Sequence, residues 1–421
     1  MAKLSVVGGN KLEGKIKIAG NKNSALKLIP ASLIADTPTT FYGVPVISDI
    51  RVMLDLLKSL GAKVEGQGTN TVTVDPRTLK SWELDPVLTS KIRASVVLAA
   101  PLLVKFGKAS ITPPGGDQIG ERLLDTHFNM MQNFGVEIKK LSGMYKLTWK
   151  KVKPNVDIFL EEASVTATEM GLMMAAGRKI DTKIDDAASE PHVRDLVNYL
   201  AKCGAKITGG GTNLINISGR KLKGCDHTVI SDHIEAGTFA IAAAITGGDI
   251  LMENIVPGDY RIMLCYLRDM SVKYKLVGKD KLRIMPSKLK PLKKKFQTRP
   301  WPGFPTDLMS PFIVLATQAD GTVLCHDWMY EWRIFFVDDL ISMGANIFIA
   351  DPHRVIITGG QKLHQSKYLV CKDIRAGISI LLAALVAEGT SEIDNVEMVE
   401  RGYQNVEKRF EQLGAVIKRV D

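Results

Sequence analysis

Apolar positions in this 421-residue chain fall into two kinds of helical run that alternate along its whole length. The first kind is amphipathic and closes on a short shared pattern. Its six copies are Leu60-Gly61-Ala62-Lys63-Val64, Phe134-Gly135-Val136-Glu137-Ile138, Cys203-Gly204-Ala205-Lys206-Ile207, Met270-Ser271-Val272-Lys273-Tyr274, Met343-Gly344-Ala345-Asn346-Ile347 and Leu413-Gly414-Ala415-Val416-Ile417. Their second positions are separated by 74, 69, 67, 73 and 70 residues, a period that marks internal duplication. Before the first copy, Ile50, Met53, Leu54, Leu57 and Leu60 keep helical spacing behind Ser48-Asp49. Gly61 then stops the helix, and alternating residues predict a strand. Tyr403, Val406, Phe410 and Leu413 predict the same helix over 399–413 in the last copy.

The second kind is apolar nearly all round: 24–35, 92–106, 165–176, 234–246, 308–319 and 374–387. Such helices are buried on every side. Each is followed by a Gly or Asp turn and a short strand-like piece, as in Gly248-Asp249-Ile250-Leu251-Met252. The pattern predicts an α/β fold of six modules in two similar domains of three, each enclosing its helices in small sheets.

A chain of this length exceeds one hydrophobic core, which agrees with two domains. The net charge of +10 is spread out; its densest patch, Lys288–Lys295, reads as a solvated connector before a nucleic-acid surface. Spread positive charge also suits a small anionic substrate. Cys203, Cys225, Cys265, Cys325 and Cys371 show no CxxC spacing, so neither a zinc site nor a disulfide framework is expected, and a reducing cytoplasm fits. No signal peptide and no bilayer-spanning apolar run is evident.

Candidate chemistry sits just before each buried helix: Asn21-Lys22-Asn23, Lys91-Ile92-Arg93, Ser164-Val165, Asp232-His233-Ile234-Glu235, Pro305-Thr306-Asp307 and Lys372-Asp373-Ile374-Arg375. Helix N-termini expose unpaired N–H groups and favour anions. Capping alone accounts for Ser164, Asp232 and Asp307. It does not account for Lys22, Arg93 or Arg375, whose charge opposes the helix dipole and calls for a neighbouring anion. The remaining outlier is Pro113-Pro114-Gly115-Gly116-Asp117-Gln118-Ile119-Gly120-Glu121-Arg122, a glycine-rich loop carrying an acid and an arginine between two helical runs, 92–106 and 123–134.

With these segments the chain resembles the enolpyruvyl transferases, in their sugar-nucleotide branch. The resemblance runs end to end through Gly20-Asn21-Lys22-Asn23-Ser24-Ala25, the Gly115–Arg122 loop, Ser164-Val165 with Ala167-Thr168, Glu190-Pro191, Glu235 with Gly237-Thr238-Phe239, Phe304-Pro305-Thr306-Asp307, Asp373-Ile374-Arg375-Ala376 and Arg401-Gly402-Tyr403. It implies two inside-out α/β barrels, one spanning 22–231 with a mobile loop at 112–122, the other combining 1–21 with 232–421, and an active site in the cleft between them. It implies addition and then elimination: phosphoenolpyruvate is protonated at its methylene carbon, the 3'-hydroxyl of UDP-N-acetylglucosamine attacks, and phosphate departs. No metal or cofactor is implied.

Carried across by position, Lys22, Asn23, Arg122 and Arg401 match the phosphoenolpyruvate-binding residues. Arg93, the run Arg122, Leu123, Leu124, Asp125 and Thr126, the run Glu162, Ala163, Ser164 and Val165, and Met329 match the segments that hold the UDP-sugar. Asp307 matches the carboxylate beside the sugar hydroxyl, the candidate general base. Asp117 stands at the loop acid position, and the implied catalytic set is Asp117, Asp307, Lys22 and Asp373, with Asp373 the alternative proton donor; Asp373, Arg333 and Arg375 match residues of proton traffic and closure. The implied partners are the two small substrates, with no nucleic acid and no membrane insertion, and a monomer or weak oligomer.

Four positions depart from the common pattern. Asp117 replaces the usual cysteine. A thiol with a pKa of about 8.5 stays protonated at neutral pH, whereas an aspartate of about 3.9 does so only when desolvated. Without the thiol, the site that the epoxide fosfomycin alkylates is missing, so resistance is expected. Thr166 replaces a glycine, Glu162 stands where some members have a basic residue, and His233 stands where arginine is frequent. These leave another acceptor, a nucleotide or shikimate phosphate, as the alternative enzyme. A noncatalytic nucleic-acid-binding relative is disfavoured by the 6% aromatic content and the absence of a clustered basic face.

Overall fold

The computed structural model describes residues 2–113, 115–116, 119–120, 122–141, 143–293 and 295–420. The repeat is written into its backbone. Gly61, Gly135, Gly204, Ser271, Gly344 and Gly414 have φ of 97°, 92°, 119°, 64°, 94° and 96°. A side chain costs roughly 1–2 kcal/mol in that region, so glycine holds the phase in five copies and Ser271 departs from it. Past each turn runs a strand: Lys63–Glu65, Val136–Leu141, Lys206–Thr208, Lys273–Val277, Asn346–Asp351 and Val416–Val420.

Each of these strands lies at the edge of its own small sheet. Five sheets have four strands, in which two antiparallel pairings follow one parallel pairing. The sixth has three, and its parallel neighbour is reduced to a single bridge between Glu83 and Ser110. One face of each sheet is buried: Thr71–Asp75 and Asp181–Asp185 alternate as the period-2 pattern requires.

The chain divides into two compact units. One contains Met1–Ala19, Asp117–Glu121 and Ser231–Asp421; the other contains Gly20–Gly116 and Arg122–Ile230. Each has its own apolar core. In the first, the helices His233–Thr246, Met309–Thr317 and Ile374–Val386 pack on one another. In the second, Ala99–Phe106 packs on Val165–Gly177, and Lys22–Ala31 packs on the turn that precedes Ala99. These helices are buried nearly all round, as their composition predicts.

Three predicted helices differ in detail. The run 92–106 begins as a 3-10 helix, Arg93–Leu98, and becomes α only at Ala99. The run 308–319 likewise opens as Thr306–Leu308 and continues as Met309–Thr317. Pro101 and Pro311 explain both: neither has the N–H that the carbonyl four residues earlier would take in an α-helix. The run 399–413 is two short helices, Glu397–Glu400 and Val406–Glu411, divided by Asn405 at φ 46°.

Candidate functional site

In the unit containing Gly20–Gly116, Lys22 opens its helix and its Nζ lies 2.8 Å from Oδ2 of Asp49. Both side chains are buried, so the anion that the misplaced cation calls for is supplied by the Ser48–Ser59 helix. Asn21 caps the helix through the Ser24 N–H, and Asn23 follows, half-buried. One turn on, Ser24 Oγ donates to Asp195, whose other oxygen bonds His227 at 2.9 Å. Asp195 also accepts from the Ile230 N–H. The start of the Lys22 helix is therefore fixed to a buried carboxylate.

Arg93 donates to the Arg122 carbonyl at 2.7 Å, which brings two predicted cations to one stretch of backbone. Beyond it, Leu123 is exposed, Leu124 is buried, and Asp125 opens the helix Asp125–Asn133. Thr126 donates to Glu162 at 3.1 Å, so Glu162 is tied to the same run. Ser164 precedes the Val165–Gly177 helix with Ala163, both half-buried. Its hydroxyl makes no capping bond, and the capping role predicted for it is absent; its own N–H donates to the Glu162 carbonyl at 2.6 Å.

His127 was not anticipated. Its Nε2 lies 2.6 Å from Oγ1 of Thr166, which accounts for the threonine at that position. Burial, then the charge of Arg93, pushes His127 down to about 4, so at neutral pH it is an uncharged hydrogen-bonding group. The sequence clue was its place next to Thr126.

In the other unit Asp307 is the hub. Arg375 Nη2 lies 2.7 Å from its Oδ2 and Arg333 Nη2 lies 3.1 Å from its Oδ1. Both arginines are buried, whereas the Asp307 side chain keeps 25% of its exposure. Asp307 is thus an arginine partner within a 3-10 turn, and the capping role predicted for it is absent. Burial opposes the charge on Arg375 most strongly, but the Asp307 carboxylate together with Tyr403 and Asp232 outweighs it and holds the guanidinium above its ordinary range. Arg375 Nη1 also donates to Tyr403 Oη at 3.2 Å, and Tyr403 bonds Thr238. Asp373 caps the helix by accepting from the Arg375 and Ala376 N–H groups. Arg401 ends the Glu397–Glu400 helix; its neighbour Gly402 lies so close to Ile374 that a Cβ would come within 2.5 Å of it. Arg401 and Arg375 are therefore carried on packed segments.

A second hub escaped the sequence. Asp327 is fully buried and accepts from Thr298, Thr306 and the Met329 N–H at 3.0, 2.6 and 3.1 Å. It sets Met329 and the turn bearing Asp307 at once. Asp232 caps the His233–Thr246 helix. His233 itself is buried edge-on to Trp301, and desolvation lowers its pKa, which leaves it uncharged.

Asp117 lies outside the described residues. Near it, the Trp332 N–H donates to the Ile119 carbonyl at 3.2 Å. Gly120, at φ 134°, holds a backbone conformation that side chains disfavour, and a Cβ there would displace the Glu331 carboxylate, 2.1 Å away. Among the described residues, no group of three or more His, Cys, Asp or Glu is placed to hold a metal. No helix among them is long and apolar enough to cross a membrane. A cavity of about 580 Å³ is lined by Asp157, Lys183, Asn216 and other residues of one sheet face, and no predicted site residue lines it.

The fold of central helices inside small sheets, with paired arginines and carboxylates at the helix starts, defines a class. The chain belongs to the EPSP synthase (3-phosphoshikimate 1-carboxyvinyltransferase) family, whose model matches residues 6–410. Within that class it is 42% identical to a UDP-N-acetylglucosamine 1-carboxyvinyltransferase of Bradyrhizobium diazoefficiens, over 99% of this chain and 97% of the relative. A protein of the same description from Treponema denticola is 40% identical, with 98% of each chain covered. In fold it matches the enolpyruvyl transferase NikO of Streptomyces tendae, with a TM-score of 0.89 at 24% identity, covering 100% of this chain and 99% of that one. An EPSP synthase of Acinetobacter baumannii gives 0.76 at 20% identity, with both chains fully covered.

Proposed function

We propose that this chain transfers the enolpyruvyl group of phosphoenolpyruvate to the 3'-hydroxyl of UDP-N-acetylglucosamine and releases phosphate, the first committed step of peptidoglycan synthesis. The observation that carries this reading is end-to-end identity of about 40% to relatives of that description, against 20% to an EPSP synthase structure. The domains it assigns are 22–231 and 1–21 with 232–421. A reducing cytoplasm is the compartment it assigns.

In this reading Lys22, Asn23, Arg122 and Arg401 hold phosphoenolpyruvate. Arg93, the 122–126 run, the 162–165 run and Met329 hold the sugar nucleotide. Asp117 delivers a proton to the methylene carbon. Asp307 takes the proton of the 3'-hydroxyl as its oxygen bonds to the adjacent carbon, giving a tetrahedral phosphate-bearing adduct. Loss of a methyl proton then re-forms the carbon–carbon double bond as the carbon–oxygen bond to phosphate breaks. Arg333 and Arg375 orient Asp307, and Asp373 fixes the start of the helix that bears Arg375. A proton acceptor of this kind contributes about 10²–10⁴-fold to rate.

The test is mass spectrometry of the product. With both substrates, the sugar nucleotide gains one enolpyruvyl unit. A product formed from shikimate phosphate and none from UDP-N-acetylglucosamine would reassign the acceptor.

A further inference from the structure

Five cysteines scattered without motif spacing give no hint of partnership in the sequence, yet the fold brings two of them together. Cys203 is the last residue of the Pro191–Cys203 helix, and Cys225 directly precedes the strand Asp226–Thr228. Their sulfur atoms are 3.6 Å apart, and both are free thiols. The backbone between them is already drawn in, because the Lys223 N–H bonds the Cys203 carbonyl at 3.0 Å. Cys203 is buried and Cys225 is half-buried, so one sulfur is shielded while its partner reaches the surface.

We propose that Cys203 and Cys225 form a dithiol modification site that peroxide converts reversibly to an intramolecular disulfide.

The two sulfurs divide the chemistry by exposure. The half-buried Cys225 sulfur, as thiolate, attacks a peroxide oxygen, the O–O bond breaks, and a sulfenic acid forms with release of water once the leaving hydroxide is protonated. The Cys203 sulfur then attacks the sulfenic sulfur; an S–S bond forms, the S–O bond breaks, and a second water leaves with the Cys203 proton. In total two thiols and one hydrogen peroxide give one disulfide and two waters, with sulfur oxidised and peroxide reduced. Two features favour the first step at Cys225. Hydrogen bonding from Cys203, helped by the fields of His227 and Lys202, holds Cys225 down at about 7 against its partial burial. Cys203 is raised by the same contact and by burial, so it stays protonated while Cys225 reacts first. The remaining move is small, since sulfurs in van der Waals contact close to about 2.05 Å in the bond. Cys325 and Cys371 are buried, and burial raises both, so neither offers a reactive thiolate. Cys265 is exposed and serves as the internal control for simple surface oxidation.

The experiment treats the whole protein with a small excess of hydrogen peroxide, quenches it, and counts thiols before and after dithiothreitol. Expected is a fall from five titratable thiols in denaturant to three, full recovery on reduction, and a tryptic pair joining the Cys203 and Cys225 peptides that is lighter by two hydrogens. Cys225→Ser abolishes the loss at Cys203, while Cys265→Ser leaves the bridge in place. The peptide map of the unsubstituted protein decides the matter even if a serine variant folds poorly. Thiol loss confined to Cys265, irreversible oxidation of Cys225 with no bridge, or five thiols surviving would each overturn the proposal.

Discussion

Arg375 and Asp307 are joined by a 2.7 Å ion pair that reaches from the first turn of a buried helix to a 3-10 turn 68 residues earlier. The arginine is enclosed and the carboxylate is the part left open. A base that must take a proton from a substrate needs this arrangement: a fixed orientation behind it and access in front. Asp307→Asn keeps the shape and is expected to lower kcat by about 10²–10⁴-fold. Steady-state rates on a variant whose circular dichroism matches the parent check this, and near-full activity would remove Asp307 as the base.

Glu169 and Lys27 form a buried pair behind the turns proposed to bind substrate, each about one helical turn beyond the predicted residues of its helix. Their closest atoms are 3.6 Å apart and Glu169 is fully buried. Desolvation pushes the Glu169 carboxyl up to about 8 even though Lys27 pulls the other way. The folded state thus holds a proton that the unfolded chain gives up at ordinary carboxylate pH. Its stabilising contribution is whole below that range and is lost as pH rises through about 8. Denaturant midpoints between about pH 5 and about pH 8.5 should fall for this reason, and Glu169→Gln should flatten the slope. An identical slope in the variant would assign the pH dependence elsewhere.

Ser271 occupies, at φ 64°, the phase that glycine fills in the other five modules. Ser271→Gly relieves the left-handed strain, partly offset by the greater freedom of glycine in the unfolded chain, for a net gain of about 0.5–1 kcal/mol. Thermal unfolding should show a higher midpoint. A lower one would mean that the serine side chain contributes more than its backbone costs.

Asp117 bears on inhibition. An aspartate at this loop position offers no thiol for an epoxide to alkylate. Incubation with fosfomycin should leave activity constant over time, whereas progressive inactivation would place the attack on another residue. If Asp117 is the proton donor, the fall in rate on the alkaline side of the pH–rate profile should disappear in Asp117→Asn.

The modules, their buried helices and the left-handed phase were legible because each is a local signal: periodicity of 3.6 or 2, and a residue that must turn. The break in 399–413 was missed, although Asn405, a residue type that tolerates the left-handed φ of 46° it adopts, marks it in the sequence. The 3-10 openings at Arg93 and Thr306 could have been read from Pro101 and Pro311. Capping misled in two places because type and position alone do not say where a side chain points: the Ser164 hydroxyl makes no capping bond, and Asp307 turns to two arginines. Asp327, His127 and the contact of Cys203 with Cys225 come from residues brought together by the fold, and no spacing rule marks them.

The substrate assignment rests most directly on phosphate release from phosphoenolpyruvate by the purified chain, measured with and without UDP-N-acetylglucosamine. Release that requires the sugar nucleotide, one phosphate for each sugar consumed, is the expected result. Release that ignores UDP-N-acetylglucosamine and follows another acceptor would contradict it.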